Sequence, residues 1–456
     1  MQVSKTAVRP WSAGRALVLA VGLLWGTGCA ATGTHGPGSA PRAHPLGVGP
    51  GGTVPARSSP ASGSSPASSS SSFAASGSPP VARPNPSSSL SSPPLSRASA
   101  TPTGRTGTAP SPSAPPAGAG FLRGITYAGY TATVFATATS DALVRQLAVT
   151  GANAVSVQTA WYQATPRSTH IAPTDQTPSD ASLVHLIRLI HQLHMRVFLD
   201  PFVNATTGEA WQGAFHPRSW AAWFRSYDAE IAHYARLAQA NGVEMLAIGD
   251  ENDTSDHNPA LLPDYLHLIA VARAAYSGPL TYGADYPDYR QIPAAFWRRL
   301  NAIGLEAYFP LAAPANADPS QSSLDAAWRR QAARIAAWRQ AFGLTHEPVV
   351  ITELGYYSAR STAASPGAWQ PRSPLDLRLQ AECYRATLST IYQEPWLHGL
   401  FWFWWANPSD GPDWPATADN NGYNLQDKPA LGVLESYFRA PHGGRPPAAS
   451  AARGAP

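Results

Sequence analysis

The first 120 residues of this 456-residue chain contain no aspartate or glutamate, and none follows residue 440. All 28 acids therefore lie between these points. Ten of the 32 basic residues lie outside that span: Lys5, Arg9, Arg15, Arg42, Arg57, Arg83, Arg97, Arg105, Arg445 and Arg453. The middle is left with 22 basic groups against 28 acidic ones, a net charge of −6 beneath a chain-wide +4. A mildly acidic domain argues against a nucleic-acid partner, whose binding rests on neutralising phosphates. Cysteine is scarce too. Cys29 ends an N-terminal leader and Cys383 lies in a helical pattern, so no disulfide framework is available to the domain. Its core must hold by burial alone, for which about 320 residues suffice. The sequence also lacks a glycine-rich phosphate loop and a serine-nucleophile elbow.

What is present divides the chain into four parts. Residues 1–30 read as an export signal: Lys5, Arg9 and Arg15 precede an apolar run over 16–25 that is too short to span a bilayer. Gly26-Thr27-Gly28-Cys29-Ala30 then resembles a bacterial lipoprotein cleavage box, in which Cys29 becomes the lipidated first residue and a membrane anchor. Gly26 departs from that pattern, and ordinary secretion with cleavage after Ala30 is the alternative. Residues 31–120 are dominated by Ser, Pro, Ala, Gly and Thr. Such a segment cannot bury enough surface to offset its ordering entropy, so a disordered, extended linker is expected. Residues 121–440 are aromatic-rich and globular in composition, and 441–456 form a second disordered tail.

From residue 121 strand-like and helix-like stretches alternate, the pattern of βα units and a parallel sheet. Eight strands are expected over 124–130, 154–160, 196–203, 244–251, 280–285, 302–308, 348–355 and 399–405. Between them, Trp220, Trp223, Phe224, Tyr227, Ile231, Tyr234 and Leu237 step by three and four and mark one buried helical face. Eight repeats in this length fit a single α/β (β/α)8 TIM barrel. An open doubly wound sheet would carry a glycine-rich turn after its first strand, and none follows here.

Barrel chemistry sits at the C-terminal ends of the strands. Glu251 closes the fourth strand and Glu353 the seventh. An acid after a buried apolar run is costly unless it is paired or functional. Two of them facing one barrel mouth form a candidate pair for glycosidic bond cleavage, which needs one protonated acid and one ionised carboxylate. Either alone could be a salt-bridged strand end.

Several stretches resemble glycoside hydrolase family 113, known for β-1,4-mannanases. They are Thr159-Ala160-Trp161-Tyr162-Gln163, Thr177-Pro178-Ser179-Asp180, Trp223-Phe224-Arg225-Ser226-Tyr227, Ile248-Gly249-Asp250-Glu251, Phe296-Trp297, Ile303-Gly304-Leu305-Glu306-Ala307-Tyr308 and Thr352-Glu353-Leu354-Gly355-Tyr356. The resemblance implies a retaining, cofactor-free clan A hydrolase with a carbohydrate substrate, Glu251 as acid/base and Glu353 as nucleophile. It also implies a hydrogen bond from Tyr308 to Glu353, although Tyr308 could instead only pack at the rim. Asp250 and Asp200 depart from the pattern, where a neutral residue and a lysine are usual, and leave the sugar specificity open. Asp200 and Asn252 are expected to face substrate.

Sugars stack their C–H faces on aromatic rings. Trp404, with Trp402 as the alternative, is expected to floor the pocket, because both share one strand face. Trp161 and Gln163 are candidate side-wall contacts, and Trp414 a candidate outer contact. His185, His191 and His194 read as a solvated helix face rather than a metal site. Two rival readings remain at this point: a hydrolase of another β-glycan, and an inactive carbohydrate-binding lipoprotein.

Overall fold

A computed structural model describes residues 120–440 and 442, apart from 208–210, 287, 317, 369–372, 409–416 and 418. The leader with Cys29, the linker, Trp414 and nearly all of the C-terminal tail lie outside the described residues.

Eight strands run β1 Leu122–Ala128, β2 Ala154–Gln163, β3 Arg196–Ala205, β4 Met245–Asp250, β5 Leu280–Asp285, β6 Ile303–Glu306, β7 Val349–Leu354 and β8 Leu397–Trp402. Each pairs in parallel with the next, and β8 pairs with β1, so the sheet closes into the expected (β/α)8 barrel. The helices are α1 Ala138–Ala148, α2 Asp180–Gln192, α3 Trp220–Asn241, α4 Asp253–Asp256, α5 Leu262–Ala275, α6 Ala294–Trp297, α7 Gln321–Ala341, α8 Leu377–Ser389 and α9 Pro429–Phe438. No helix among the described residues is long and apolar enough to cross a membrane.

Local chemistry sets the boundaries. The Ser219 hydroxyl caps α3 by accepting from the Ala222 N–H, and Gly242, at φ 69°, ends it in the left-handed conformation that glycine tolerates. The buried face of α3 carries Trp223, Phe224, Tyr227, Ile231, Tyr234 and Leu237, as the spacing requires. The polar face of α2 is engaged locally: His185 meets Asp141 at 2.7 Å and His191 meets Glu244 at 3.2 Å.

Alternation along each strand produces two separate cores. Outward residues such as Ile125, Val155, Leu199 and Ile351 join the helices in one large cluster. Inward ones, Ala154, Phe198, Met245, Ala247, Val350 and Phe401, plug the bottom of the barrel. Phe401 lies so close to β1 that a Cβ at Gly124 would come within 2.0 Å of its ring. This apolar plug supports a polar layer above it.

Candidate active site

The polar layer is built by inward side chains one or two positions further along the strands. The barrel-facing residues of β2 continue from Ala154 through Ser156 to Gln158, and β3 supplies Asp200. The Ser156 hydroxyl donates to Asp200 Oδ2 at 3.5 Å, and Gln158 Nε2 donates to Glu353 Oε2 at 2.6 Å. On β6, Glu306 accepts a 2.8 Å hydrogen bond from the Thr352 hydroxyl.

β4 reaches this layer through a local irregularity. Met245 and Ala247 face the barrel and Ile248 the outer core. Gly249 then adopts φ 122°, and a Cβ there would fall 1.7 Å from the Tyr227 hydroxyl, so only glycine fits. The register against β5 shifts between Ala247 and Asp250. The extra residue turns Asp250 inward, against β5 and Glu306. Glu251 follows just past the strand end at φ 41°, with its N–H bonded to the Gly283 carbonyl at 2.8 Å.

Each of the two glutamates is held by a pair of neutral donors. Glu353 accepts from the Tyr308 hydroxyl at 2.5 Å on Oε1 as well as from Gln158 on Oε2. Glu251 Oε2 accepts from Trp211 Nε1 at 2.6 Å and Gln212 Nε2 at 3.0 Å. Both donor pairs favour the ionised carboxylate, while burial favours the protonated form. Burial, followed by the charge of Glu251, pushes Glu353 up to about 8 against the bonds from Tyr308 and Gln158. Burial likewise raises Glu251, and its Trp211 bond opposes this. Glu353 therefore senses the charge of Glu251, and acids that interact in this way titrate as a group.

Beneath them, burial pushes Asp200 up to about 7, and raises Asp250 and Glu306 well above the usual carboxylate range. The charges acting on these three come from one another, from the two glutamates and, for Asp250, also from the buried Glu230 of α3. Burial thus favours the protonated form of all three acids, Asp250 beside Glu251 among them. At the rim, burial and then Glu251 raise Asp285 to about 10 and Asp253 to about 9.

The arrangement can put a proton on one side of a bound molecule and a carboxylate on the other. That requirement belongs to glycosidic bond cleavage. The model of Glycoside Hydrolase Family 113 matches residues 125–428. The chain belongs to glycoside hydrolase family 113.

Solved relatives agree with the assignment of this family 113 enzyme to the glycoside hydrolases. A family 113 β-mannanase from Alicyclobacillus acidocaldarius is 27% identical, with a TM-score of 0.61 over 70% of this chain and 97% of its own. A second family 113 β-1,4-mannanase is 24% identical, with a TM-score of 0.61 over 70% of this chain and 99% of its own. A β-glucuronidase from Ruminococcus gnavus shares only the fold, at 12% identity and a TM-score of 0.50 over 70% of this chain and 51% of its own. No curated protein matches the sequence.

Four of the residues expected to face substrate in the family 113 enzyme point elsewhere. Trp161 packs against His233 and Tyr234 of α3, with ring centroids 5.5 and 6.2 Å away. Gln163 is buried between the Trp223 indole and the Thr165 carbonyl, at 2.7 Å from each. Both are on the opposite strand face from Gln158. The Asn252 amide donates to the Tyr227 hydroxyl at 3.4 Å, and its backbone N–H to the Tyr282 hydroxyl at 2.9 Å, within the wall. Trp402 is buried in the outer core, stacked on Tyr384 of α8 at 3.9 Å. β8 ends at Trp402, so strict alternation does not carry on to Trp404, which instead joins Tyr308, Tyr357, Phe403 and Tyr423 at the barrel mouth. Asp200 is inside the barrel, in the layer beneath the glutamates.

Gln158, Glu306, Trp211 and Gln212 went unread in the sequence. Gln158 is accessible from strand parity, whereas Glu306 closes β6 two residues before the strand end expected at 308. Trp211 and Gln212 lie in a loop between β3 and α3 with no periodicity to mark them.

Proposed function

We propose that this glycoside hydrolase cleaves β-1,4-linked mannan with retention of anomeric configuration, with Glu353 as nucleophile and Glu251 as acid/base. The observation that carries this reading is the double anchoring of both carboxylates at the ends of β4 and β7: Tyr308 and Gln158 on one, Trp211 and Gln212 on the other. In the first step a Glu353 oxygen attacks the anomeric carbon. The glycosidic C–O bond breaks, and Glu251 delivers its proton to the departing oxygen. In the second, Glu251 takes a proton from water as the water oxygen attacks the same carbon, and the bond to Glu353 breaks. Tyr308 and Gln158 stabilise the charge that returns to Glu353. Trp404 at the mouth offers an aromatic surface to the sugar. The mannan preference draws on the names of the relatives, both β-mannanases.

The test is turnover of β-mannan beside glucans and xylans, with the anomer of the first product followed by NMR. Glu353→Gln lowers kcat by roughly four orders of magnitude without unfolding the protein. Glu251→Ala slows mannan similarly, and azide restores turnover of an activated aryl glycoside. Release of the inverted anomer, or wild-type rates in either variant, overturns the assignment.

A further inference from the structure

Trp211 is 47% exposed, one of few large apolar side chains left in solvent among the described residues. Its indole nitrogen is nonetheless bonded to Glu251 at 2.6 Å. The ring lies against Gly213, where a Cβ would sit 2.3 Å from its edge. The Gly213 carbonyl is in turn held by the Thr254 hydroxyl at 2.5 Å, just past Glu251. An exposed ring is thus braced beside the acid, next to a short turn over Gln212–Ala214.

An indole N–H can only donate a hydrogen bond. Bonded to Glu251, it favours the carboxylate. That form suits a base removing a proton from water, and is the wrong form for an acid protonating a leaving oxygen. The two steps of a retaining mechanism need both forms in succession, and they differ in one respect: the leaving-side sugar is present in the first and gone in the second. An exposed indole beside the acid is also a surface on which that sugar can stack.

We propose that Trp211 binds the leaving-side sugar of the glycan chain and, in doing so, exchanges its hydrogen bond to Glu251 for stacking on that sugar. Trp211 is then a positioning residue that matches Glu251 to the step in progress. With the sugar bound, Glu251 loses a donor and holds the proton it must deliver. Once the sugar leaves, the N–H returns and holds the carboxylate that accepts a proton from water. Among the described residues, only Trp211 and Gln212 donate side-chain hydrogen bonds to Glu251, and the groups facing it from the other elements do not. Asp253 of α4, Asp285 of β5 and Glu353 of β7 are all acids. So are Asp200, Asp250 and Glu306 in the layer below. Among the described residues, Gln212 remains as the neutral donor to the same oxygen.

This inference rests on the retaining reading above. Its test compares the full-length wild type with Trp211→Phe, which keeps a stacking ring and deletes the N–H. Glycosylation is measured in single turnovers of a β-1,4-mannooligosaccharide long enough to occupy both sides of the cleavage point. Deglycosylation is measured with an activated aryl mannoside whose first step is fast. In the variant, the acidic limb of deglycosylation moves up by about one pH unit, because Glu251 has lost a donor to its charged form. The basic limb of oligosaccharide glycosylation stays where it is. Trp211→Ala in addition raises KM for the oligosaccharide by about ten-fold through loss of stacking. Movement of both limbs together means that Trp211 never releases Glu251 and overturns the exchange. Movement of neither limb overturns the bond itself. If the wild type yields the inverted anomer, the retaining reading fails. If it retains configuration while Trp211→Phe matches it at every pH, only the present inference fails.

Discussion

Replacing Asp200 with asparagine removes one proton-binding site from the barrel interior at nearly constant volume. The wild-type carboxyl is 1% exposed, and its Oδ1 has no hydrogen-bond partner among the described residues. Burial sets its pKa near 7, against hydrogen bonds from Gln158 and Ser156 and with help from the charge of Glu251. Unfolded, the group titrates near 3.9. Between these values the folded state binds more protons than the unfolded one. The contribution of Asp200 to stability is therefore fully present below about pH 4 and is lost as pH rises through about 7. Three units at ~1.4 kcal/mol each give about 4 kcal/mol as the upper figure. Asp200 shares its surroundings with Asp250, Glu306 and Glu353, and proton exchange within that group makes its own part smaller than that figure. Asparagine cannot ionise, but it buries an amide hydrogen where Oδ1 stood, at a cost of about 1 kcal/mol. Asp200→Asn is accordingly less stable than wild type at pH 5, and its disadvantage shrinks or reverses by pH 8. Guanidinium unfolding across this range, with m held constant, reads the difference as a change in midpoint. Parallel pH profiles for the two proteins would show that Asp200 ionises freely in the fold, and the burial-raised pKa of this carboxyl would be refuted.

Tyr308→Phe deletes a 2.5 Å donor to Glu353, so it raises the pKa of Glu353 and moves the acidic limb of kcat/KM upward. A charge-assisted hydrogen bond lost at this point lowers kcat by about ten- to a hundred-fold, and an unshifted limb would contradict the role given to Tyr308. Two strand-eight tryptophans separate stability from activity. Trp402→Ala opens a cavity against Tyr384 and costs about 3–5 kcal/mol in denaturant unfolding, with activity per folded molecule kept. Trp404→Ala loses activity beyond any loss of folded protein, and the opposite ranking would exchange their assignments.

The sequence by itself determined the barrel and the positions of the two strand-end glutamates. These are encoded in short-range features: composition that either can or cannot bury a core, apolar spacing of two or three to four residues, and an acid placed at the end of an apolar run. All eight expected strands and the buried stripe of α3 follow from them. Site membership proved less readable, because it depends on which face of a strand a residue takes and where the strand stops. Trp161 and Gln163, expected just past the second strand, lie within β2, which runs on to Gln163 and turns both to its outer face. Trp402 and Trp404 appeared equivalent because alternation was extended past the end of β8. The glycine conformation at Gly249, which turns Asp250 inward, carries no periodic signal. Only the tertiary structure decided that Gln158 and Tyr308, 150 residues apart in sequence, grip one carboxylate. It alone brought Trp211 to the other and gathered Asp200, Asp250 and Glu306 into one desolvated layer. Hydrogen bonds and desolvation act through distances of a few ångströms in space, and closing the barrel is what creates those distances between strands far apart along the chain.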